Sequence, residues 1–461
     1  MSPTEDKPAA PTDPSGQDDI QQILHKVIIA HQQALALLQQ TEAAYNRLVP
    51  HQLLELLHAR SIVDLKLGDQ VERKMTILFA DIRDFTPLSE SMTPAENFEF
   101  INSYLSQMEP VISRHRGIID KYIGDAIMAL FEYSADDGVR GALAMLERLN
   151  HYNAGRARAG YLPVHIGIGI NTGRVMIGTV GGINRMDSTV IGDPVNLAAR
   201  LEDATKTYNT PLIISQNTLY DLADPTAYYI RFLDRVRVKG KSDPLSIHEV
   251  FDHEPTPNKQ AKLASRATFE LATAYYHLKE IGRALPLLQR CLQDNPGDTA
   301  AALYLEKCRA FQHNGRHDST GELDTTPIWK PDYETGMATA DSAHRQFVQH
   351  LTALTERIRT RTLTQNEEPY AFLEQHAATR FPQEEALMRE QHYPFADAHA
   401  QEHQRFVQNF RALAQRLAAG QDDPLFIAFH TSLLMHDWLN AHVAKSDRHF
   451  TRFQQNQKRQ Q

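Results

Sequence analysis

The run Asp120-Lys121-Tyr122-Ile123-Gly124-Asp125-Ala126-Ile127-Met128-Ala129-Leu130-Phe131 sets a lysine and an aspartate inside an otherwise apolar, strand-like stretch. A short hairpin with buried strands has little reason to carry Lys121 and Asp125 unless the two charges face a site. A second exception lies upstream, in Thr76-Ile77-Leu78-Phe79-Ala80-Asp81-Ile82-Arg83-Asp84-Phe85-Thr86, where an apolar strand delivers Asp81 at its C-terminal end before a turn and a helix. Two carboxylates at strand ends suit hard, oxygen-seeking Mg²⁺ or Mn²⁺. Each aspartate taken alone also suits a turn cap.

At 461 residues the chain has room for two or three domains with their own cores. Its 23% charged and 42% hydrophobic residues are an ordinary soluble composition. A net charge of −9 with no basic block argues against a nucleic-acid partner. Cys291 and Cys308 sit in a helical stretch without metal or redox spacing, which reads as reduced, buried thiols in a cytoplasmic protein. No apolar run approaches bilayer length, so no membrane span is expected, and the N-terminus lacks a signal pattern. The 22 histidines concentrate towards the C-terminus, a bias that calls for a cause.

Residues 1–19, rich in Pro, Asp, Ser and Thr, read as disordered. Over 20–48 a heptad pattern runs through Leu24, Val27, His31, Ala34, Leu38, Thr41, Tyr45 and Leu48, the mark of a dimerising coiled coil or of a solitary amphipathic helix packed on the next domain. Residues 49–252 alternate strands (near 75–81, 118–123, 126–131, 164–170, 174–178 and 246–251) with helices (94–115, 137–151 and 194–207). That order predicts an α+β, ferredoxin-like sheet with helices on one face. Residues 260–315 read as a helical connector, with Ala272, Tyr275, Tyr276, Ala284, Leu287, Leu288 and Leu292 at helical spacing, and resemble one tetratricopeptide-type repeat plus a helix. Within 327–452, helices near 338–360, 366–390, 396–419 and 423–443 predict an all-α up-down four-helix bundle.

The segments 76–86 and 120–131, with Arg185-Met186-Asp187-Ser188-Thr189-Val190-Ile191-Gly192-Asp193-Pro194-Val195-Asn196-Leu197-Ala198-Ala199-Arg200 and Val238-Lys239-Gly240-Lys241, resemble the catalytic domain of class III nucleotide cyclases over about residues 48–251. The resemblance implies two Mg²⁺ or Mn²⁺ ions held by Asp81, Asp125 and the carbonyl of Ile82, with phosphates received by the turn at Phe85 and Thr86. It also implies that Asn196 orients the ribose and that Arg200, one turn on, meets the charge developing at the α-phosphate. Lys239 or Lys241 would contact the terminal phosphates. Lys121 implies ATP, since a glutamate there reads guanine. Thr189 stands where the family often has aspartate, as in a bacterial subset, some of which respond to bicarbonate. Members of the family work as dimers with active sites shared between chains, which implies a homodimer here.

Asp341-Ser342-Ala343-His344, Glu384-Glu385-Ala386-Leu387-Met388, His399 with His403, and Trp438-Leu439-Asn440-Ala441-His442 with Asp447 resemble the hemerythrin family, in which a four-helix bundle holds two irons. The implied non-haem iron ligands are His344, Glu384, His399, His403, His442 and Asp447. One position departs. Arg380 stands four residues before Glu384, where the family has a histidine, and a guanidinium does not ligate a metal. The missing ligand belongs to the iron with the open, dioxygen-binding position. His376 lies one turn earlier, displaced by about 5–6 Å along the axis. A single iron, an altered pair and a metal-poor relic all stay open.

Together these readings imply a homodimeric adenylate cyclase whose C-terminal domain senses O₂, redox state or another small ligand. A guanylate cyclase, or a metal- or oxygen-binding protein with a silent cyclase domain, are the alternatives.

Overall fold

The structure is a computed structural model describing residues 14–45, 51–59, 61–182, 185–237, 244–315, 329–362, 371–420 and 422–460. The chain divides into two compact units, residues 1–71 with 177–189, and residues 72–176 with 190–461.

The first unit holds helices α1 (Pro14–Tyr45) and α2 (His51–Leu56). The expected disorder over 1–19 is corrected in part: the helix starts at Pro14, as a residue with φ already set for a first turn allows, and residues 1–13 lie outside the described residues. Leu24, Val27 and Leu38 of the heptad seam are 57%, 57% and 64% exposed, while Leu48 lies outside the described residues. Further on, Thr179 bridges the loop around Gly68: its carbonyl accepts from Gly68 N at 3.2 Å and its hydroxyl donates to Lys66 O at 2.5 Å.

The sheet is built from β1 (Gln70–Ile82), β2 (Gly117–Ile123), β3 (Ala126–Phe131), β4 (Ile166–Gly182), β5 (Arg185–Ile191), β6 (Leu212–Ser215), β7 (Ile230–Arg237) and β8 (Pro244–Val250). Between them run α3 (Phe85–Glu90), α4 (Pro94–Arg114), α5 (Ala135–Arg158), α6 (Asp193–Tyr208) and α7 (Gln216–Asp221). The strand order is β2-β3-β1-β4-β6-β8-β7, with β5 on β4. Two strands expected at 164–170 and 174–178 are one, β4. The turn-prone residues between them are accommodated by bonds to neighbouring elements: Thr172 Oγ1 lies 2.9 Å from Thr76 Oγ1 of β1, and Asn171 Nδ2 donates to Pro194 O of α6 at 3.0 Å.

Alternation along β4 and β6 decides what covers each face. Ile168, Ile170, Leu212 and Ile214 join the core beneath α4 and α5, whose Phe100, Tyr104, Met108 and Val139 fill it. A capping box at Thr93 and Glu96 starts α4. On the other side Gly169 lets α6 lie against the strand: a Cβ there would sit 2.1 Å from Glu202 N. The sheet was expected to carry helices on one face only. Instead Ile213, Leu233 and Ile247 pack with Leu197 and Leu201 of α6 and with the three following helices. Those are α8 (Thr256–His277), α9 (Ile281–Asp294) and α10 (Thr299–Asn314).

A fully buried ion network fastens these helices to the sheet. Arg231 of β7 donates to Glu249 of β8 at 2.6 Å and, bidentately, to Asp298 before α10 at 2.6 and 2.9 Å. Lys262 of α8 meets the same Glu249 at 2.6 Å. The cations Arg231 and Lys262 outweigh burial and hold Glu249 down at about 2.

The C-terminal region comprises α11 (Ala338–Arg359), α12 (Ala371–Glu390), α13 (Ala396–Ala419), α14 (Pro424–Trp438), a π-helical segment (Leu439–Asp447) and α15 (Arg448–Gln460). Phe347, Phe381, Phe406, Phe410 and Trp438 form its core, which continues through Phe429 onto Phe232 of β7, ring centroids 5.8 Å apart. These helices therefore lie directly on the α+β domain. Arg405 of α13 and Lys74 of β1 each meet Asp221 Oδ1 at 2.6 Å. Among the described residues no helix is long and apolar enough to cross a membrane.

Candidate functional sites

Asp81 ends β1, and Asp125 occupies the tight turn joining β2 to β3, where Gly124 takes φ 65°. Because β3 pairs with β1 antiparallel, these two ends meet, and Ile82 N donates to Asp125 Oδ2 at 3.3 Å. Burial, a hydrogen bond to Asp81 and the charge of Asp81 push Asp125 up to about 6. Tyr104 lies fully buried nearby, its hydroxyl pushed up by burial and by both aspartates.

Sequence reasoning missed a cluster beside this pair. Lys206 Nζ is 3.4 Å from Asp81 Oδ2, 3.9 Å from Glu202 and 3.4 Å from Asp203, and Arg83 is 3.6 Å from Glu202. Burial pushes Glu202 up to about 7, against the charge of Lys206. The i, i+4 pair Glu202–Lys206, immediately after the Arg200 motif, was the available signal. Carboxylates packed this closely, one already drawing a lysine, form a donor set that fits a divalent cation.

The other expected positions are distributed as follows. Lys121, half-buried on β2, has Nζ 3.3 Å from Asp120. Asn196 is exposed in the first turn of α6 and Arg200 is half-buried one turn on, while Leu197 and Leu201 anchor the helix. Phe85 opens α3 with its ring 6.4 Å from Phe100, and Thr86 is exposed. Thr189 is half-buried on β5. Lys239 and Lys241 lie outside the described residues.

The C-terminal helices bring His344, Glu384, His399, His403, His442 and Asp447 together. His442 Nε2 is 3.0 Å from His403 Nε2 and 3.2 Å from Asp447 Oδ1, which is 3.4 Å from His399 Nε2. Asp447 Oδ2 is 3.6 Å from His344, and Glu384 lies 3.9 Å from His399 and 3.7 Å from His403. Two three-ligand groups result: His399, His403 and His442, and Glu384, His399 and Asp447. The π-helical segment makes the second possible. In an α-helix residue i+5 points about 140° away from residue i. The wider turn carries Asp447 back over His442.

The polar inventory tests the fit of a metal. His344 Nδ1, Glu384 Oε1, both ring nitrogens of His399 and both oxygens of Asp447 are buried without a hydrogen-bond partner among the described residues. Burial pushes His344 down to about 3 and His399 and His403 well below the ordinary range, leaving neutral imidazoles. For His442 the Asp447, Glu402 and Glu384 carboxylates override burial and raise it to about 9. Glu402 meets His442 Nδ1 at 2.8 Å and Glu385 meets His403 Nδ1 at 3.0 Å, the outer contacts that orient metal-ligating histidines. This donor set fits a nitrogen- and oxygen-ligated transition metal.

Arg380 and His376 were expected on one helix face. Arg380 is exposed, as its long side chain permits, whereas His376 is buried with its ring 4.7 Å from Phe347 and burial pushes it down to about 4. His376 belongs to neither ligand group.

With this geometry established, similarity supplies the class. Residues 68–250 match the family described as Adenylate and Guanylate cyclase catalytic domain, and that segment is a cyclase catalytic domain of class III. The chain is 41% identical over 219 residues to an adenylate cyclase of Anabaena cylindrica, a match covering 46% of this chain and 44% of that protein. It is 35% identical over 281 residues to the terminal-differentiation specific adenylate cyclase of Dictyostelium discoideum, covering 60% of this chain and 13% of that one. The solved guanylyl cyclase Cya2 is 34% identical, with 41% of this chain and 96% of that chain covered and a TM-score of 0.36. The chain thus spans less than half the length of the two curated relatives.

Proposed function

We propose that this chain is an adenylate cyclase, converting ATP to 3′,5′-cyclic AMP and pyrophosphate, governed by an iron-holding, hemerythrin-like C-terminal domain. The observation carrying the first part is the meeting of Asp81 and Asp125 at the strand ends of a cyclase catalytic domain. Asp81 and Asp125, with the Ile82 carbonyl, would hold two Mg²⁺ or Mn²⁺ ions. Bound there, such ions would supply a Lewis acid for the ribose hydroxyl and positive charge for the phosphates. Lys121 and Thr189 read adenine by hydrogen bonds, Asn196 orients the ribose, and Arg200 meets charge at the α-phosphate. The turn at Phe85 and Thr86, and Lys239 or Lys241, hold the remaining phosphates.

The working form in this reading is a homodimer with shared sites, joined along α1, whose exposed Leu24, Val27 and Leu38 need a partner. Two buried free cysteines support a cytoplasmic location. In the C-terminal domain His344, Glu384, His399, His403, His442 and Asp447 would hold non-haem iron. Iron there would supply a redox-active centre able to take O₂ or another small ligand.

Cyclic AMP formation from Mn²⁺-ATP tests the first part; an inactive parent protein sinks it. GTP turned over faster than ATP would favour the guanylate reading instead. Mixed Asp125→Ala and Lys121→Ala chains should regain one working site per heterodimer, and silence in verified heterodimers refutes site sharing. Metal analysis tests the second part: protein purified without iron, and taking none up, refutes it.

A further inference from the structure

A cavity of about 380 Å³ lies between the cyclase domain and the C-terminal helices. Its apolar walls come from Pro194 and Leu197 of α6, Tyr220 of α7, and Phe406, Trp438 and Ala441 of the C-terminal helices. Four cationic side chains, Lys74, Arg174, Arg405 and Lys445, line it against three carboxylates, Asp193, Asp221 and Glu402. Lys74 and Arg405 share the single carboxylate of Asp221. Arg174 packs its guanidinium 3.8 Å from the ring centroid of Phe395 and also meets the Tyr393 hydroxyl and the charge of Glu72, while its buried Nη1 has no hydrogen-bond partner among the described residues. A protein that buries a guanidinium nitrogen beside a cavity leaves that donor to an acceptor arriving from outside.

The floor of the cavity positions α6. Asn171, fully buried and held by Ser215 at 2.7 Å, donates to Pro194 O at 3.0 Å. Gly173 lies so close that a Cβ would meet Pro194 Cγ at 2.6 Å. An occupant touching Pro194 and Leu197 therefore bears on the first turn of α6, which carries Asn196. The opposite wall includes His442 and its partner Glu402.

We propose that this cavity binds a small organic anion, a carboxylate on an apolar body, and that its occupancy sets the position of the first turn of α6. The apolar walls take the body, and the cationic excess with the unpaired Arg174 nitrogen takes the carboxylate. The regulatory half rests on the cyclase reading above; the binding half does not.

The chain has two tryptophans, Trp329 and Trp438, and Trp438 lines the cavity. In full-length Trp329→Phe protein the remaining emission reports occupancy. Titration with sodium benzoate should give a saturable change, with benzamide at least tenfold weaker because it lacks the charge. Arg174→Gln should weaken benzoate at least tenfold and Arg174→Lys less. Asn409 of α13 also lines the cavity, and Asn409→Phe, which fills it without removing a charge, should weaken benzoate tenfold too; far-ultraviolet circular dichroism confirms each fold. No saturable change in the parent, equal response to benzamide, or full binding in both Arg174→Gln and Asn409→Phe overturns the site. Saturable binding with unchanged cyclic AMP formation overturns the coupling to α6. Saturable binding to a chain without cyclase activity overturns the cyclase reading and leaves the cavity standing.

Discussion

Ser246 of β8 donates a 2.9 Å hydrogen bond to Asp437 of α14, and both residues are buried. One end belongs to the cyclase sheet and the other to the histidine-bearing helices, so the two regions are joined by a buried polar contact through Asp437 Oδ2. Asp437→Ala leaves the Ser246 hydroxyl without that acceptor and is expected to cost ~1–3 kcal/mol. Urea denaturation checks it; a midpoint unchanged from the parent protein removes the contact from the account of docking.

The Arg231–Glu249–Lys262 network fixes a pH dependence. Glu249 is held at about 2, below its ordinary 4.5, so the unfolded chain binds a proton that the folded chain refuses. Its contribution is present above about pH 4.5 and is lost as pH falls towards about 2, on the order of 3 kcal/mol in all. Thermal melts between those limits should fall more steeply in the parent than in Glu249→Gln, which starts less stable.

Asp298→Ala probes the same network from another side. It leaves Arg231 buried with one carboxylate instead of two, and the expected loss is ~3–5 kcal/mol, the cost of breaking a buried pair. The helices α8 and α10 should loosen with it, read as faster amide exchange across both.

At the Asp81–Asp125 pair, Asp81→Ala is expected to lower cyclic AMP formation more than a hundredfold, about 2.7 kcal/mol or more in barrier. Lys121→Glu should move the preference towards GTP without abolishing turnover. An Asp81→Ala protein retaining most of its rate would detach the pair from the chemistry.

In the histidine cluster, Glu402→Gln tests the orientation of His442. Loss of an outer contact to a metal ligand costs ~10–100-fold in affinity, so iron retained after dialysis against a chelator should drop. His399→Ala, which removes a member of both ligand groups, should drop it further.

The proposed catalytic residues were legible because of how each sits in its local pattern. Asp81 and Asp125 interrupt apolar strands, and Asn196 with Arg200 repeats at one helical turn. The histidines were legible in part: His399 and His403 obey i, i+4, but His442 and Asp447 do not, and no periodicity shows that a π-helical turn unites them. The continuity of β4 was hidden by turn-prone residues that are accommodated by tertiary partners, Thr76 of β1 and Pro194 of α6.

By itself, the sequence determined which chemical groups this protein presents and on what kind of element, since strand alternation and helical spacing are local rules. Only the tertiary structure decided what those groups meet. Lys206 reaches Asp81 across 125 positions, Arg231 is shared between a strand neighbour and a loop beyond α9, and Arg380 turns to solvent while His376 turns inward. Such pairings depend on which faces the sheet and helices bury together. Burial and neighbouring charge then set the charge states: burial raises Asp125, whereas Arg231 and Lys262 lower Glu249 against its burial, though the two carboxylates look alike in the chain.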